Sequence, residues 1–117
     1  MRTIIAGSRG IKRLSVVYDA VESIDWEITE VLSGTAQGID VLGEIWAIRH
    51  NIPITRWPAD WKKWGRTAGR IRNELMAANA DALIAIWDGE SPGTRHMIQH
   101  AYGKELQVYV HKEKVIE

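Results

Sequence analysis

The chain has 117 residues, a length typical of a single domain built around one hydrophobic core. Hydrophobic residues make up 45% of the sequence and charged residues 26%, which argues against an intrinsically disordered chain. The 15 basic and 15 acidic side chains give zero net charge, and the lack of cysteine excludes a disulfide scaffold and thiolate chemistry.

Short apolar runs alternate with amphipathic stretches along the whole chain. The first run, within residues 1–7, is too short for a signal peptide or a membrane span, so we expect a cytoplasmic protein without membrane contact. Runs of this kind predict five strands, at Thr3–Ala6, Glu30–Ser33, Ile54–Trp57, Ala82–Trp87 and Gln107–His111.

Helices are predicted between these strands. The first is indicated by apolar residues with the i, i+3, i+4, i+7 spacing of one buried face, namely Val17, Ala20, Val21 and Ile24. In the third helix we expect Ile71, Leu75 and Met76 to be buried. The second, third and fourth helices are predicted at Ile39–His50, Gly69–Asn79 and Thr94–Gly103.

Strands that alternate with helices predict right-handed βαβ units and a parallel sheet covered on both faces. We therefore expect residues 1–117 to form a single α/β domain. Its predicted architecture is a three-layer, Rossmann-like sandwich of about five parallel strands in the order 3-2-1-4-5, with helices on both faces.

Three predicted strand-to-helix turns, at residues 7–10, 33–40 and 88–94, combine glycine with serine or threonine. Glycine lets a backbone approach a phosphate closely, hydroxyl groups donate to it, and such turns share one edge of a parallel sheet. We predict a phosphate-bearing, nucleotide-like ligand here, although each glycine alone is also explained by turn geometry. The candidate contacts in these turns are Gly7, Ser8, Arg9, Ser33, Gly34, Gly89, Ser91, Gly93 and Thr94.

The region from Arg56 to Arg72 holds six cations and one acid, and the predicted irregular stretch Pro58–Ala68 lies within it. Such a segment either focuses an anion or is a solvated surface loop. Trp57, Trp61 and Trp64 are spaced as on one turn of helix. Trp61 is a candidate platform for stacking a base, and packing against the domain or a partner subunit is the alternative.

Two further positions near the predicted edge of the sheet carry polar groups. Arg72 and Asn73, near the start of the third helix, are candidates for contacts to phosphate or ribose; a surface arginine and a capping asparagine are the alternatives. Asp40 either binds ribose hydroxyl groups or caps a helix. We assign no catalytic residue from these patterns.

His96 and His100 have the i, i+4 spacing that can hold a metal ion on one helix face. No aspartate or glutamate beside them in the chain completes a ligand set such as H-E-x-x-H. The sequence therefore predicts no metal site and no cofactor.

The residues from Ser33 to Asp40 resemble the S-G-x-A-x-G-I-D element of the DNA-processing protein A family. Over nearly its full length, the chain also resembles the short YspA-like members of the SLOG superfamily. The motifs that carry this resemblance occur in the order A-G-S-R, S-G-x-A-x-G-x-D, P-A-D-W, I-R-N-x-x-M and G-T-R-H-M-I.

This resemblance implies a Rossmann-like fold that binds nucleotides or nucleotide-derived ligands. The superfamily includes sensor-like proteins in conflicts between phages and bacteria. Related domains are commonly dimers, so a homo-oligomer, with a dimer favoured, is expected, and the tryptophan-rich segment is a candidate interface.

The chain is more distantly similar to the LOG phosphoribohydrolases, whose R-K-x-x-M motif corresponds to Arg72–Met76, with Asn73 in place of the lysine. Met97 stands where these relatives keep a glutamate linked to glycosidic-bond cleavage. We therefore expect a ligand-binding protein. The alternatives are a nucleotide N-glycosidic or phosphoribosyl hydrolase and a DNA-associated protein, and zero net charge counts against binding nucleic acid.

Overall fold

A computed structural model of the chain describes residues 1–114. The strands in this range are β1 (Arg2–Gly7), β2 (Glu30–Ser33), β3 (Ile54–Arg56), β4 (Ala82–Trp87) and β5 (Gln107–Lys112). The helices are α1 (Leu14–Glu22), α2 (Ile39–Arg49), α3 (Trp61–Trp64), α4 (Ala68–Ala78) and α5 (Pro92–Gly103), and a short 3₁₀ turn at Gly65–Thr67 joins α3 to α4.

The strands form one sheet in the order β3-β2-β1-β4-β5, and each neighbouring pair is parallel. In the centre of the sheet, Thr3 of β1 is in register with Val31 of β2 on one side and with Ala82 of β4 on the other. The predicted three-layer α/β sandwich and its strand order are confirmed.

Alternate residues of the central strands point to opposite faces of the sheet and pack into two separate hydrophobic cores. Ile5 of β1 and Ile84 of β4 face the helices α1 and α2, where they pack with residues such as Val17. Their neighbours in the chain, Ile4 and Leu83, point to the opposite face and pack with residues of α4 and α5. Because both faces of the sheet are covered, these strands are apolar almost throughout, as a buried parallel strand requires.

Two predictions for the segment before and within α4 are wrong in detail. Leu75 was expected to be buried, but it is 49% exposed, because it lies about 100° around the helix from the fully buried Met76. The predicted irregular stretch Pro58–Ala68 contains α3 and the 3₁₀ turn. Asp60 begins α3 by accepting a hydrogen bond from the backbone N–H of Lys63 at 3.1 Å.

The strand order reverses direction between β1 and β4, because the chain leaves β1 toward β2 and leaves β4 toward β5. The crossover helices accordingly lie on opposite faces, and a crevice opens beyond the carboxyl ends of these two strands. Among residues 1–114, no helix combines the length and the apolar character that crossing a membrane requires.

Candidate functional site

A cavity of about 520 Å³ occupies the crevice beyond β1 and β4. Its walls come from the turn after β1, the start of α2, the segment from α3 into α4, and the start of α5. This volume lies in the range of sites for small organic ligands. The carboxyl edge of the sheet, where the sequence predicts ligand binding, therefore carries a cavity of suitable size.

Most of the residues that the sequence singled out line this cavity. Gly89, Ser33 and Gly34 are outside its lining. The ones that line it are Gly7, Ser8, Arg9, Asp40, Trp61, Arg72, Asn73, Ser91, Gly93 and Thr94.

At the turn after β2, Ser33 and Gly34 lie outside the cavity lining, and Gly34 contacts residues that form it. The hydroxyl group of Ser33 donates to Glu44 Oε2 at 2.6 Å and so serves the packing of α2 against the sheet. A Cβ atom on Gly34 would come within 2.7 Å of Asp40 Oδ2 and 2.8 Å of Arg72 Nη1. The glycine is therefore needed at this position to make room for these two side chains.

The first turn of α5 opens into the cavity through Pro92, Gly93 and Thr94. Ser91 precedes the helix but makes no side-chain capping bond to it. Proline at the first position has no N–H, and the next N–H groups have no acceptor within the helix. Within residues 1–114 the backbone N–H groups of Gly93 and Thr94 have no acceptor, so this end of α5 presents free donors and positive dipole to the cavity.

Four arginines, Arg9, Arg66, Arg70 and Arg72, line the same cavity. Within residues 1–114, the ion pairs of arginine are made by residues elsewhere in the fold, and the cavity arginines make none. Three of the four are solvent-exposed, whereas Arg72 is half-buried. The cavity thus concentrates four cationic groups, and Asp40 is the one acidic side chain of residues 1–114 in its lining, a balance suited to an anionic ligand.

The turns after β1 and β4 are joined across the crevice by a small hydrogen-bond network. The Ser8 hydroxyl oxygen accepts a hydrogen bond from the backbone N–H of Asp88 at 3.1 Å. The Ser91 hydroxyl oxygen lies 3.0 Å from the Ser8 hydroxyl oxygen. Asp88 in turn accepts from the backbone N–H groups of Glu90 and Ser91, both at 2.8 Å. With Ser8 only 1% exposed, this network primarily holds the two turns in place.

A buried carboxyl group, Asp40, faces the cavity. It is 5% exposed and accepts a hydrogen bond from the backbone N–H of Ala36 at 3.2 Å. Burial raises the pKa of Asp40 to about 6, against the opposing effects of that hydrogen bond and of the positive charge of Arg72. Among residues 1–114, it is the only carboxyl group that lines the cavity.

Arg72 links three parts of the site. Its Nη1 donates to the carbonyl oxygen of Gly34 at 2.5 Å, and its Nε donates to Asn73 Oδ1 at 3.0 Å. The amide nitrogen of Asn73 then lies 3.4 Å from the carbonyl oxygen of Gly93 at the start of α5. The two polar residues predicted at this point are therefore positioned by the fold as well as exposed to the cavity.

The tryptophans of α3 differ in their relation to the cavity. Trp61 lines it and keeps 54% of its surface exposed, which leaves the ring accessible to a ligand. Trp64, one turn further along, is 45% exposed and is outside the lining. Only Trp61 is thus placed to stack on a bound group.

Arg66 and Arg70 were part of the basic segment but were not named as site residues. With Asn73 they have the i, i+4, i+7 sequence spacing typical of one helix face, although Arg66 lies in the 3₁₀ turn before α4, and all three line the cavity. That spacing was the available signal. It was missed because the residues before Gly69 were expected to be irregular.

Met97, which the sequence resemblance aligns with the glutamate of the LOG phosphoribohydrolases, lies in the cavity wall and is 1% exposed. The exposed acids Glu74 and Glu90 are not part of the lining. Glu74 instead approaches His96 and His100, although the sequence shows no acid beside this pair.

Comparison with known proteins gives two matches. The family model described as YAcAr: YspA, cpYpsA-related SLOG family matches residues 1–64. The Gene 61 protein of Mycobacterium phage D29 is 35% identical over 112 aligned positions, which cover 86% of this chain and 87% of the phage protein. No solved structure gives a significant match.

Proposed function

Because this chain belongs to the YspA, cpYpsA-related SLOG family, we propose that its cavity binds a nucleotide or a nucleotide-derived phosphate ligand. The protein then acts as a sensor or ligand-binding protein. One observation carries the proposal: the unpaired N–H groups at the start of α5 open into a cavity that is also lined by four arginines.

In this proposal the phosphate lies against the first turn of α5. The backbone N–H groups of Gly93 and Thr94 donate to its oxygens, and the Thr94 side chain lines the same wall. Arg72 on α4 and Arg9 in the turn after β1 supply positive charge to the same cavity. Each charge-assisted hydrogen bond of this kind contributes about 1.5–3 kcal/mol.

The base of the nucleotide is proposed to lie toward α3. Trp61 offers an accessible indole face there, and Arg66 and Arg70 line the same cavity. Stacking on tryptophan is tolerant of base identity, so this contact alone gives affinity with little selectivity. Selectivity among bases would have to come from polar groups that meet the base edges.

A thermal-unfolding experiment with AMP and adenosine tests the proposal. AMP at about one hundred times its Kd stabilises the fold by about 2.7 kcal/mol, which corresponds to a Tm increase of roughly 10 °C in a domain of this size. Adenosine lacks the phosphate and should raise the Tm far less. If no mono-, di- or cyclic nucleotide raises the Tm at millimolar concentration, the proposal is wrong.

Mass spectrometry of small molecules released from the purified, denatured protein complements this test by identifying a ligand retained from the cell. A retained nucleotide or sugar phosphate would support the proposal and would name the ligand class directly.

An N-glycosidic hydrolase is the second candidate, and the position of Asp40 favours it. A carboxyl group with a pKa of about 6 in a ligand cavity can exchange protons near neutral pH. The buried Met97 argues the other way, because a thioether cannot activate water. The two candidates differ in whether base is released from a bound nucleotide.

A further inference from the structure

A cluster of metal-ligating side chains lies where α4 packs against α5. Glu74 comes from α4, and His96 and His100 come from successive turns of α5. Each residue offers one ligand atom, and these atoms all lie within 4.8 Å of one another. None of the three residues is part of the cavity lining.

The imidazole rings of His96 and His100 are stacked and nearly parallel. Their centroids are 5.8 Å apart and their planes differ by only 18°. This geometry follows from the i, i+4 spacing, which places both side chains on one face of α5. The same spacing is used by helical histidine pairs that bind zinc.

One atom of the cluster indicates a missing partner. Nε2 of His100 is buried, and within residues 1–114 it has no hydrogen-bond partner. A buried polar nitrogen without a partner destabilises the folded state, because it has lost its hydrogen bonds to water. A metal ion bound to this nitrogen would remove that cost.

The competing contact at His96 is weak. The amide nitrogen of Asn73 approaches Nδ1 of His96 at 3.3 Å, which exceeds the usual length of a hydrogen bond from an amide N–H. Binding a metal ion at this ring therefore sacrifices little hydrogen-bond energy.

We propose that Glu74, His96 and His100 form a zinc-binding site, separate from the nucleotide cavity, with water as the fourth ligand. Two imidazoles and one carboxylate are a regular zinc ligand set. Ligand atoms around a tetrahedral zinc ion are about 3.3 Å apart, given bond lengths of about 2.0–2.1 Å. In the structure the ligand atoms are up to 4.8 Å apart, so small side-chain rotations would bring them to this separation. Glu74 is exposed and therefore free to rotate.

The bound zinc ion connects α4 to α5. Both helices also line the cavity, through Arg72 on α4 and Thr94 on α5. The site therefore acts as a clamp between two walls of the cavity. It adds stability to the folded state, since the ligands converge only when the chain is folded.

Isothermal titration of metal-free protein with zinc chloride tests the proposal, using protein without a polyhistidine tag. The wild type should bind one ion per chain and show a higher Tm with zinc. Glu74→Gln should bind at least about tenfold more weakly, since even loss of an outer partner costs about 10–100-fold. His100→Ala should lose the site, and His111→Gln, a histidine of β5 outside the cluster, should bind as the wild type does.

Two results would overturn the site. The first is wild-type affinity no higher than that of His100→Ala, with both proteins folded by circular dichroism. The second is unchanged affinity and stoichiometry in Glu74→Gln, a substitution at an exposed position that leaves the core intact. Binding of zinc and binding of AMP are measured separately, so failure of one leaves the other proposal standing.

Discussion

Arg72 Nη1 donates to the carbonyl oxygen of Gly34 at 2.5 Å, and this contact joins α4 to the turn after β2. It is possible only because residue 34 has no Cβ atom, which would lie 2.8 Å from the same nitrogen. A side chain that lines the cavity is therefore also a support of the fold. This dual role determines how substitutions at Arg72 should be interpreted.

Arg72→Ala should weaken both the fold and nucleotide binding. The variant loses the hydrogen bonds to Gly34 and Asn73 and leaves Asp40 without its nearby positive charge. We expect a loss of about 1–3 kcal/mol in the free energy of unfolding and a similar loss in binding free energy. Urea denaturation and calorimetry with AMP measure the two effects.

Arg49→Ala provides the control for that experiment, because Arg49 is exposed at the end of α2 and is not part of the cavity lining. It should leave AMP binding and stability nearly unchanged. Full AMP affinity in Arg72→Ala would show that the guanidinium group does not contact the ligand.

Trp61→Ala should weaken the binding of AMP by about 1–3 kcal/mol through the loss of stacking. The matched variant is Trp64→Ala, since this neighbouring tryptophan of α3 is comparably exposed but does not line the cavity. Calorimetry of both variants with AMP separates ligand contact from a general effect of removing an exposed indole. Equal losses in the two variants would contradict a stacking role for Trp61.

Gly7→Ala should destabilise the domain strongly. Its Cβ would overlap the backbone carbonyl oxygen of Ile86 and the side chain of Ile39, so β1 and β4 would have to separate. We expect more than about 3 kcal/mol lost from the free energy of unfolding. In Gly103→Ala the new Cβ meets nothing within 4 Å, so that control should be neutral or slightly stabilising in urea denaturation.

The pH dependence of stability should reveal Asp40. Its folded-state pKa, raised to about 6, exceeds the ordinary value of 3.8, so the folded state holds the proton more tightly than the unfolded state. The stabilisation from this group is complete below about pH 3.8 and is lost as the pH rises through 6. Compared with Asp40→Asn, the wild type should lose about 2.4 kcal/mol between pH 4 and pH 7.5, because each pKa unit is worth about 1.36 kcal/mol and the unfolded state has already lost more than half of this proton at pH 4.

Urea denaturation of both proteins across this pH range makes the comparison. A difference in stability that stays constant with pH would mean that Asp40 titrates normally.

Incubation with AMP, GMP, CMP and UMP should release no free base at an enzyme-like rate. Cleavage of an N-glycosidic bond passes through a cation-like state that a carboxylate stabilises, and general-base assistance is typically worth about 10²–10⁴-fold. The thioether of the buried Met97 can neither stabilise that cation-like state nor act as a general base. Chromatographic detection of base release that disappears in Asp40→Asn, but persists in Glu90→Gln, would instead establish the hydrolase and identify its carboxyl group.

The architecture of this protein was predictable because the sequence patterns that specify its strands, helices and turns each span only a few residues. Alternating apolar runs and amphipathic stretches predicted the five strands and their order, and they are confirmed with boundaries shifted by one residue at most. The glycine turns predicted the edge of the sheet that carries the cavity. Strand-to-helix turns are encoded within a few residues, so a single sequence is enough to place them.

The chemistry inside that cavity depended on contacts between distant parts of the chain. Gly34 and Arg72 are 38 positions apart, and only packing of α4 against the turn after β2 shows that the glycine accommodates the arginine. Glu74 likewise meets His96 only because α4 packs on α5. The sequence by itself determined the fold and the edge of the sheet that carries the cavity, because hydrophobic periodicity and turn residues act locally. The tertiary structure decided three features of the cavity: the burial of Asp40, the accessible face of Trp61 and the convergence of four arginines. Desolvation and side-chain proximity arise only when separate elements pack together.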